Sequence, residues 1–578
     1  VASTATEWPE GATGSLVCSF AMSGTNACVL LERPTETKVA AQDEGPHVLP
    51  LSASTEEELR VVARRLRDTL DGGCSLPEVA ATLSIGMRHG PRRMALVASD
   101  ATHAASLLGT WLDGAERPGV YAPVETQMQL AFLATGQGAQ YPGMGQQLYQ
   151  SERAFREVLD ACDACYADAY GRSLCDLMFG KAPDAASAVH QTRYAQPLLY
   201  AYECAMAALW QNWGITPDFL MGHSLGEIVA AHLAGVFSLE EGLRLCAERG
   251  ALMQALPAGG AMLAAMTSET SARGWLAAVP GTLAIAAVNG PQSVVFSGEE
   301  TAIAILETRL QAEGIRHRRL QVSHAFHSPL IEPALEVFRQ VLAGISFHPP
   351  TIPVVSNLTG EISTDMATPD YWLAHARNPV RFADGMTALA HAGCGAFLEI
   401  GPADTLVSMG RRCLGPGYQW LPSTRKDMRP QDLLRQAQAA LYACNHAIDW
   451  QAVYVGKPRR RAYLPGYPLP RAHHWMAPVE TAPAVESAPV ATNAPSQPGE
   501  ESVRDVLRRL IREVSEGAVE NITDDDGFFA LGLDSLRWTQ VHNRLQEYYK
   551  CEIPIALVFI YPTLGELSDY LDQEIKHR

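Results

Sequence analysis

The sequence predicts a multidomain α/β chain. Its centre is an α/β-hydrolase-like core with an inserted ferredoxin-like subdomain, preceded by a small α/β unit and followed by an all-α unit of four helices. Three patterns carry this reading. Met221-Gly222-His223-Ser224-Leu225-Gly226-Glu227 is a G-x-S-x-G motif set between the apolar run 219–221 and a helical pattern through Ile228, Val229 and Ala231. Residues 260–320 alternate as β-α-β-β-α-β, the split βαβ order. Near the C-terminus Val503, Val506, Leu507, Leu510, Ile511 and Val514 recur on one helical face.

Composition bounds the function. At 578 residues with 47% hydrophobic content, the chain has material for several packed domains. A net charge of −18 argues against nucleic acid, whose phosphates require clustered Lys and Arg. No run of about 18 uncharged apolar residues is present, so no membrane span is expected. The chain opens Val1-Ala-Ser-Thr without a leader pattern, and the absence of an initial Met leads us to expect a piece of a longer polypeptide. Twelve scattered Cys suit a reduced, cytoplasmic setting. Cys162 and Cys165 have redox spacing but fall in a helical pattern with Phe155, Leu159 and Tyr166, which assigns them to packing. His473 and His474 lack a second ligand pair, so no metal is expected.

In chain order, 28–31 is a strand-like run without a domain of its own. Residues 46–125 form the small unit: a strand at 47–51, a helix from Thr55 to Leu70 capped by Ser54 or Thr55, a strand at 94–98 and a helix at 104–112. Residues 126–425 hold the core. A strand at 130–134 leads into Thr135-Gly-Gln-Gly-Ala-Gln-Tyr-Pro-Gly-Met-Gly145, which lacks the Lys of a phosphate loop. The G-x-S-x-G segment needs a sharp strand-to-helix turn that exposes Ser224 at a helix N-terminus. The amide of Leu225 is the first expected oxyanion donor, and that of Gln137 the second.

The insertion has strands at 261–266, 283–288, 293–297 and 315–320, with helices at 269–279 and 300–313. It is expected to leave a cleft between large and small subdomains, a preferred ligand location. His324 and His327 lie where the chain leaves the insertion. Arg249 lies on a helix at 239–256. Residues 476–500 are Pro-, Ala- and Ser-rich and read as a flexible linker. From 500 to 578 there are 16 acidic and 9 basic residues. Asp534 and Ser535 open a helix that continues through Trp538, Val541 and Leu545.

Gly136-Gln-Gly-Ala-Gln140, Gly222-His-Ser-Leu-Gly-Glu227, Glu248-Arg-Gly250, Ala287-Val-Asn-Gly-Pro291, His324-Ala-Phe-His327 and Leu398-Glu-Ile-Gly-Pro402 occur in one order. That order resembles the acyltransferase domains of modular type I polyketide synthases. Ser19-Phe-Ala-Met-Ser-Gly-Thr-Asn-Ala-Cys28 resembles the closing segment of a ketosynthase, S-F-G-x-S-G-T-N-A-H-V, with Ala21 for a Gly and Cys28 for the His. Ketosynthase catalytic residues lie upstream of that tail, so no condensing activity is expected. Arg461-Ala-Tyr-Leu-Pro-Gly-Tyr-Pro-Leu-Pro-Arg-Ala-His-His-Trp475 resembles the linker that follows such acyltransferases. Asp534-Ser535-Leu536 resembles the attachment motif of acyl carrier proteins.

The resemblance implies six segments: a ketosynthase tail (1–34), a ketosynthase-to-acyltransferase linker domain (35–125), an acyltransferase (126–425), a post-acyltransferase linker (426–475), a flexible linker (476–500) and a carrier (501–578). It further implies Ser224 as nucleophile and His327 as its base, with the His oriented by a backbone carbonyl. Arg249 would fork onto the free carboxylate of the acyl group, and His223 and Asn289 would line the same pocket. Ser535 would carry 4′-phosphopantetheine, installed by a phosphopantetheinyl transferase. The other partners implied are a coenzyme A thioester, the chain's own carrier, an upstream ketosynthase and further synthase domains. His324-Ala-Phe-His327, Leu225 and Gln191-Thr-Arg-Tyr-Ala-Gln196 resemble malonyl rather than methylmalonyl enzymes, with Phe326 in the space a 2-methyl group needs. A methylmalonyl or other acyl specificity, a serine hydrolase, and a non-catalytic docking and carrier fragment remain as alternatives.

Overall fold

The computed structural model describes residues 11–20, 26–32, 45–322, 324–457, 460–468, 501–515, 519, 521–528 and 530–576. The flexible-linker reading of 476–500, the pair His473–His474 and the segment 1–10 lie outside the described residues. Two compact units result, one spanning Thr37–Arg471 and the other comprising Val1–Glu36 and Ala472–Arg578.

The larger unit is built on a six-stranded sheet. Its order is Ile362–Ser363, Val354–Val355, Phe219–Gly222, Gln129–Ala134, Cys394–Glu399, Gln419–Pro422. All pairings are parallel except that of the outermost strand Ile362–Ser363. Such a sheet is covered on both faces, so its strands are continuous apolar runs rather than alternating ones; Leu130 to Ala134 and Ala396 to Leu398 are all buried. The chain moves outward from Gln129–Ala134 in one direction and later returns to its other side. The order therefore reverses between the strands Gln129–Ala134 and Cys394–Glu399, one strand away from Phe219–Gly222, and open α/β sheets hold their ligands at such a reversal.

The inserted subdomain is a four-stranded antiparallel sheet ordered His317–Arg319, Gly260–Ala265, Ser293–Glu299, Leu283–Gly290. In insertion numbering this is fourth, first, third, second. Helices Glu269–Ala278 and Glu300–Ala312 complete it, around a core of its own that includes Leu263, Phe296, Ile303 and Leu306. It is tied to the large subdomain by backbone bonds from Val288 N–H to the Val380 carbonyl and from Val380 N–H to the Ala286 carbonyl, and by Arg381 gripping Glu269.

The small unit pairs His47–Ala53, Arg92–Ala98 and Val120–Tyr121 antiparallel, and Thr55 caps its first helix, Glu56–Leu70. Sequence periodicity did not reveal its second helix, Leu76–Ile85, whose residues are buried almost all round. Such a helix has little amphipathic signal. The core is continuous past residue 425: Leu434, Ala437, Leu441 and Tyr442 of helix Pro430–Ala443 belong to the large core. The segment 460–468 returns to the small unit, where Ala462 N–H donates to Thr82 and Tyr467 meets Ser54 and Glu58.

In the other unit, Gly14–Phe20 and Asn26–Glu32 pair as an antiparallel hairpin. Residues 501–576 contain helices Val503–Val514, Ser535–Tyr549, Leu557–Ile560 and Leu564–Lys576. They enclose a core of Val506, Leu507, Ile511, Phe528, Val541 and Leu567.

Candidate active site

Ser224 lies one residue, His223, beyond strand Phe219–Gly222 and immediately precedes helix Leu225–Leu233, with φ 51° and ψ −111°. That backbone region is costly for a residue with a Cβ. Among the described residues only four non-glycines have positive φ, and two of them are Ser224 and His327. Two glycines make the turn possible. A Cβ on Gly222 would sit 1.9 Å from the Gly226 carbonyl carbon, and one on Gly226 would sit 2.0 Å from the Ala134 carbonyl oxygen.

Ser224 Oγ lies 2.7 Å from His327 Nε2, and the other ring nitrogen, Nδ1, lies 2.8 Å from the carbonyl oxygen of Asn378. A carbonyl only accepts, so Nδ1 carries the proton and Nε2 presents its lone pair to the hydroxyl. Burial holds the His327 pKa well below the ordinary value, and the neighbouring charge of Arg249 adds to the effect. The imidazole is neutral near pH 7, which is the form a general base needs.

Arg249, on helix Leu239–Gln254, is 3% exposed. Its Nη1 donates to Gln196 Oε1 at 2.9 Å, its Nη2 reaches Ser224 Oγ at 3.4 Å, and its Nε has no partner. No carboxylate pairs with it among the described residues. Burial pushes its pKa down to about 10, which still leaves it charged at neutral pH. A buried cation with an unspent donor beside a hydroxyl can take up an anion.

The Gly-rich loop after strand Gln129–Ala134 runs against the turn, since a Cβ on Gly136 would lie 2.7 Å from the His223 carbonyl oxygen. Gln137 is anchored by its side chain, which donates to Thr192 Oγ1 at 3.2 Å. Behind the loop, buried Glu203 accepts from both the N–H and the hydroxyl of Thr135. His223 Nε2 meets Asn289 Oδ1 of the inserted sheet at 2.8 Å. His324 is placed differently from the other pocket candidates: its Nε2 lies 2.9 Å from the Leu256 carbonyl oxygen. Phe326 is 9% exposed and packs with the large core.

In the helical unit, Asp534 caps Ser535–Tyr549, its carboxylate accepting from Arg537 N–H at 2.8 Å. The Ser535 side chain is thus not needed as the cap, and the residue is exposed at the first position of the helix. An exposed hydroxyl at a helix start fits a covalently attached arm.

Comparison with known proteins bears on all three regions. Residues 131–446 match the acyl transferase domain family, residues 505–571 the phosphopantetheine attachment site, and residues 47–108 the CurL-like PKS C-terminal family. The first match spans more than half of the chain. The chain belongs to the acyl transferase domain family. Among its relatives is the spectinabilin polyketide synthase system protein NorB of Streptomyces orinoci, 39% identical over 486 residues, covering 80% of this chain. The chain spans 22% of that relative's length. The acyltransferase domain from the second module of the salinomycin polyketide synthase is 40% identical with TM-score 0.59, covering 72% of this chain and 96% of that one. The malonyl CoA-acyl carrier protein transacylase of Clostridium perfringens is 26% identical with TM-score 0.51, covering 55% of this chain and 98% of that one.

This acyltransferase is thus of the type I polyketide synthase kind, with a ketosynthase-side linker region before it and a phosphopantetheine attachment region after it. The structure also supplies site contacts that the sequence did not single out. Asn357 is 1% exposed, and its side chain bonds the Ser224 N–H and the Gly222 carbonyl. Gln196 steers Arg249, and Asn378 holds His327 through its carbonyl. A backbone carbonyl has no residue-type signal, and Asn357 lies 133 positions from Ser224. The one available hint was the polar pair Ser356-Asn357 closing the apolar run 352–355. Among the described residues no helix is long and apolar enough to cross a membrane.

Proposed function

We propose that this acyltransferase takes a malonyl unit from malonyl-CoA onto Ser224 and delivers it to its own carrier region at Ser535. The observation that carries the reading is the 2.7 Å Ser224–His327 pair beside a buried, unpaired Arg249 only 3.4 Å from the same hydroxyl. Neutral His327 accepts the Ser224 proton as Oγ attacks the thioester carbonyl. The developing oxyanion is met by the amides of Leu225 and Gln137, each worth about 3 kcal/mol in comparable sites. His327 then returns the proton to the departing coenzyme A sulfur. In the second half-reaction His327 is again the base, now towards the accepting nucleophile, and Ser224 is the leaving group. A phosphopantetheine arm attached to Ser535 supplies the thiol that accepts the acyl group.

Arg249 selects a dicarboxylic acyl unit. Its planar fork can take both oxygens of the distal carboxylate, and acetyl leaves that buried charge unanswered. His223, fixed on Asn289, closes the pocket on the side of the inserted subdomain. Malonyl is preferred over methylmalonyl because Phe326 would fill the space a 2-methyl group needs, although one methyl discriminates only about 1–3 kcal/mol. The Clostridium perfringens relative, named as a malonyl transacylase, supports the same substrate class.

The test is intact-protein mass after offering malonyl-, methylmalonyl- and acetyl-CoA in competition. The malonyl adduct is expected to dominate, to vanish in Ser224→Ala, and to persist on the core in Ser535→Ala. A dominant methylmalonyl or acetyl adduct would overturn the assignment of substrate, and no adduct at all would overturn the transfer.

A further inference from the structure

We propose that Asn357 is the positioning residue of the nucleophile: its carboxamide clamps the turn so that Ser224 stays in line with His327 and Leu225 offers the first free amide. The inference rests on Ser224 being the reactive serine.

The strained backbone of Ser224 persists only if its surroundings over-determine it. Asn357 supplies a two-pronged brace. Its Oδ1 accepts from the Ser224 N–H at 2.7 Å, and its Nδ2 donates to the Gly222 carbonyl at 2.8 Å. The carboxamide therefore spans the residues on both sides of His223. Asn357 is itself held at both backbone groups. Its N–H donates to Glu227 Oε2 at 2.9 Å, and its carbonyl accepts from Arg381 N–H at 2.8 Å.

The brace continues towards the base. Glu227, fully buried on the first turn of helix Leu225–Leu233, takes the Tyr371 hydroxyl on its other oxygen, and His375 Nε2 lies 3.4 Å from Oε2. Tyr371 and His375 are one turn apart on helix Pro369–Arg377. The next residue, Asn378, offers its carbonyl to His327 Nδ1. One connected set of buried groups thus runs from the peptide that holds the hydroxyl to the peptide that holds the imidazole. A second consequence concerns charge. The Ser224 N–H is spent on Asn357, so the elbow's contribution to an oxyanion hole begins with the following amide.

Two probes of the full chain test this. A fluorophosphonate labels an activated serine whatever its natural substrate, and rapid-quench malonyl-CoA reports acyl-enzyme formation. Asn357→Ala is expected to slow both by about 100-fold, the scale of a 1 Å misplacement. In the folded variant, burst amplitude and KM for malonyl-CoA should stay within about two-fold, since Arg249 is untouched. Asn357→Asp keeps the acceptor for the Ser224 N–H but opposes a second oxygen to the Gly222 carbonyl. Its rate relative to the native chain should rise as pH falls, because a protonated carboxyl can donate to that carbonyl.

Labelling of Asn357→Ala within three-fold of the native rate would overturn the proposal, as would a loss confined to amplitude. Should that variant fail to fold, a pH-independent Asn357→Asp ratio overturns it instead. A native chain labelled at Ser224 that takes no malonyl removes the transfer reading and leaves Asn357 to be judged on labelling alone. An unlabelled Ser224 removes both.

Discussion

Arg249 is a guanidinium 3% exposed whose buried Nε has no partner, an arrangement that is costly unless an anion answers the charge. Arg249→Ala should lower malonyl acylation at least about 30-fold, as truncating one side of a buried charge pair costs about 2–5 kcal/mol. It should also raise acetyl acylation relative to malonyl, both read by burst kinetics. A second consequence concerns pH. The His327 pKa is held below 6.5, first by burial and then by Arg249, so its base form survives below the pH at which an exposed His is half protonated. The fluorophosphonate labelling rate should therefore stay level as pH falls to 6.5 and drop only below it. Removing the Arg249 charge lifts the His327 pKa, so the acid limb of Arg249→Ala should move to higher pH. An unmoved limb would show that the two groups do not sense one another.

At the scale of elements, the strand–turn–helix around Ser224 is intolerant of added atoms. A Cβ on Gly226 would lie 2.0 Å from a backbone oxygen of the adjacent strand, and backbone cannot rotate away. Gly226→Ala should destabilise the large unit by at least about 3 kcal/mol or prevent its accumulation, measured by thermal melting. Gly274 is the contrast. It sits inside helix Glu269–Ala278, and an added Cβ there meets nothing within 4 Å. Gly274→Ala should stabilise by about 0.5–1 kcal/mol, because helix propensity and unfolded-chain entropy both favour Ala. Equal effects of the two substitutions would refute this account of the turn.

For the whole molecule, the covalent joining of an acyltransferase to a carrier region allows the second half-reaction to be intramolecular, with an effective concentration set by the chain between them. Acyl movement from Ser224 to Ser535 in the phosphopantetheinylated chain should be first order and independent of protein concentration. In a mixture of Ser224→Ala and Ser535→Ala chains, transfer must cross between molecules, so its rate should rise with concentration. Mass analysis of the carrier-bearing peptide distinguishes the two. A concentration-dependent rate in the native chain would mean that each carrier is served by another copy.

By itself the sequence determined what depends on neighbours along the chain. The turn at 222–226 follows from two glycines around Ser224, the helix 503–514 from its apolar spacing, and the Asp534 cap from a side chain three residues from its donor. The expected order of strands and helices in 260–320 follows from the same local periodicities. Only the tertiary structure decided contacts between distant residues. It put Asn357 behind Ser224, gave Gln196 to Arg249, made the Asn378 carbonyl the partner of His327, and turned His324 to Leu256. It also joined helix Pro430–Ala443 to the large core. The physical reason is that periodicity and capping report the surroundings of a few consecutive residues. A hydrogen bond across 51 to 133 positions depends on how distant segments are brought together, and a carbonyl acceptor is the same in every residue.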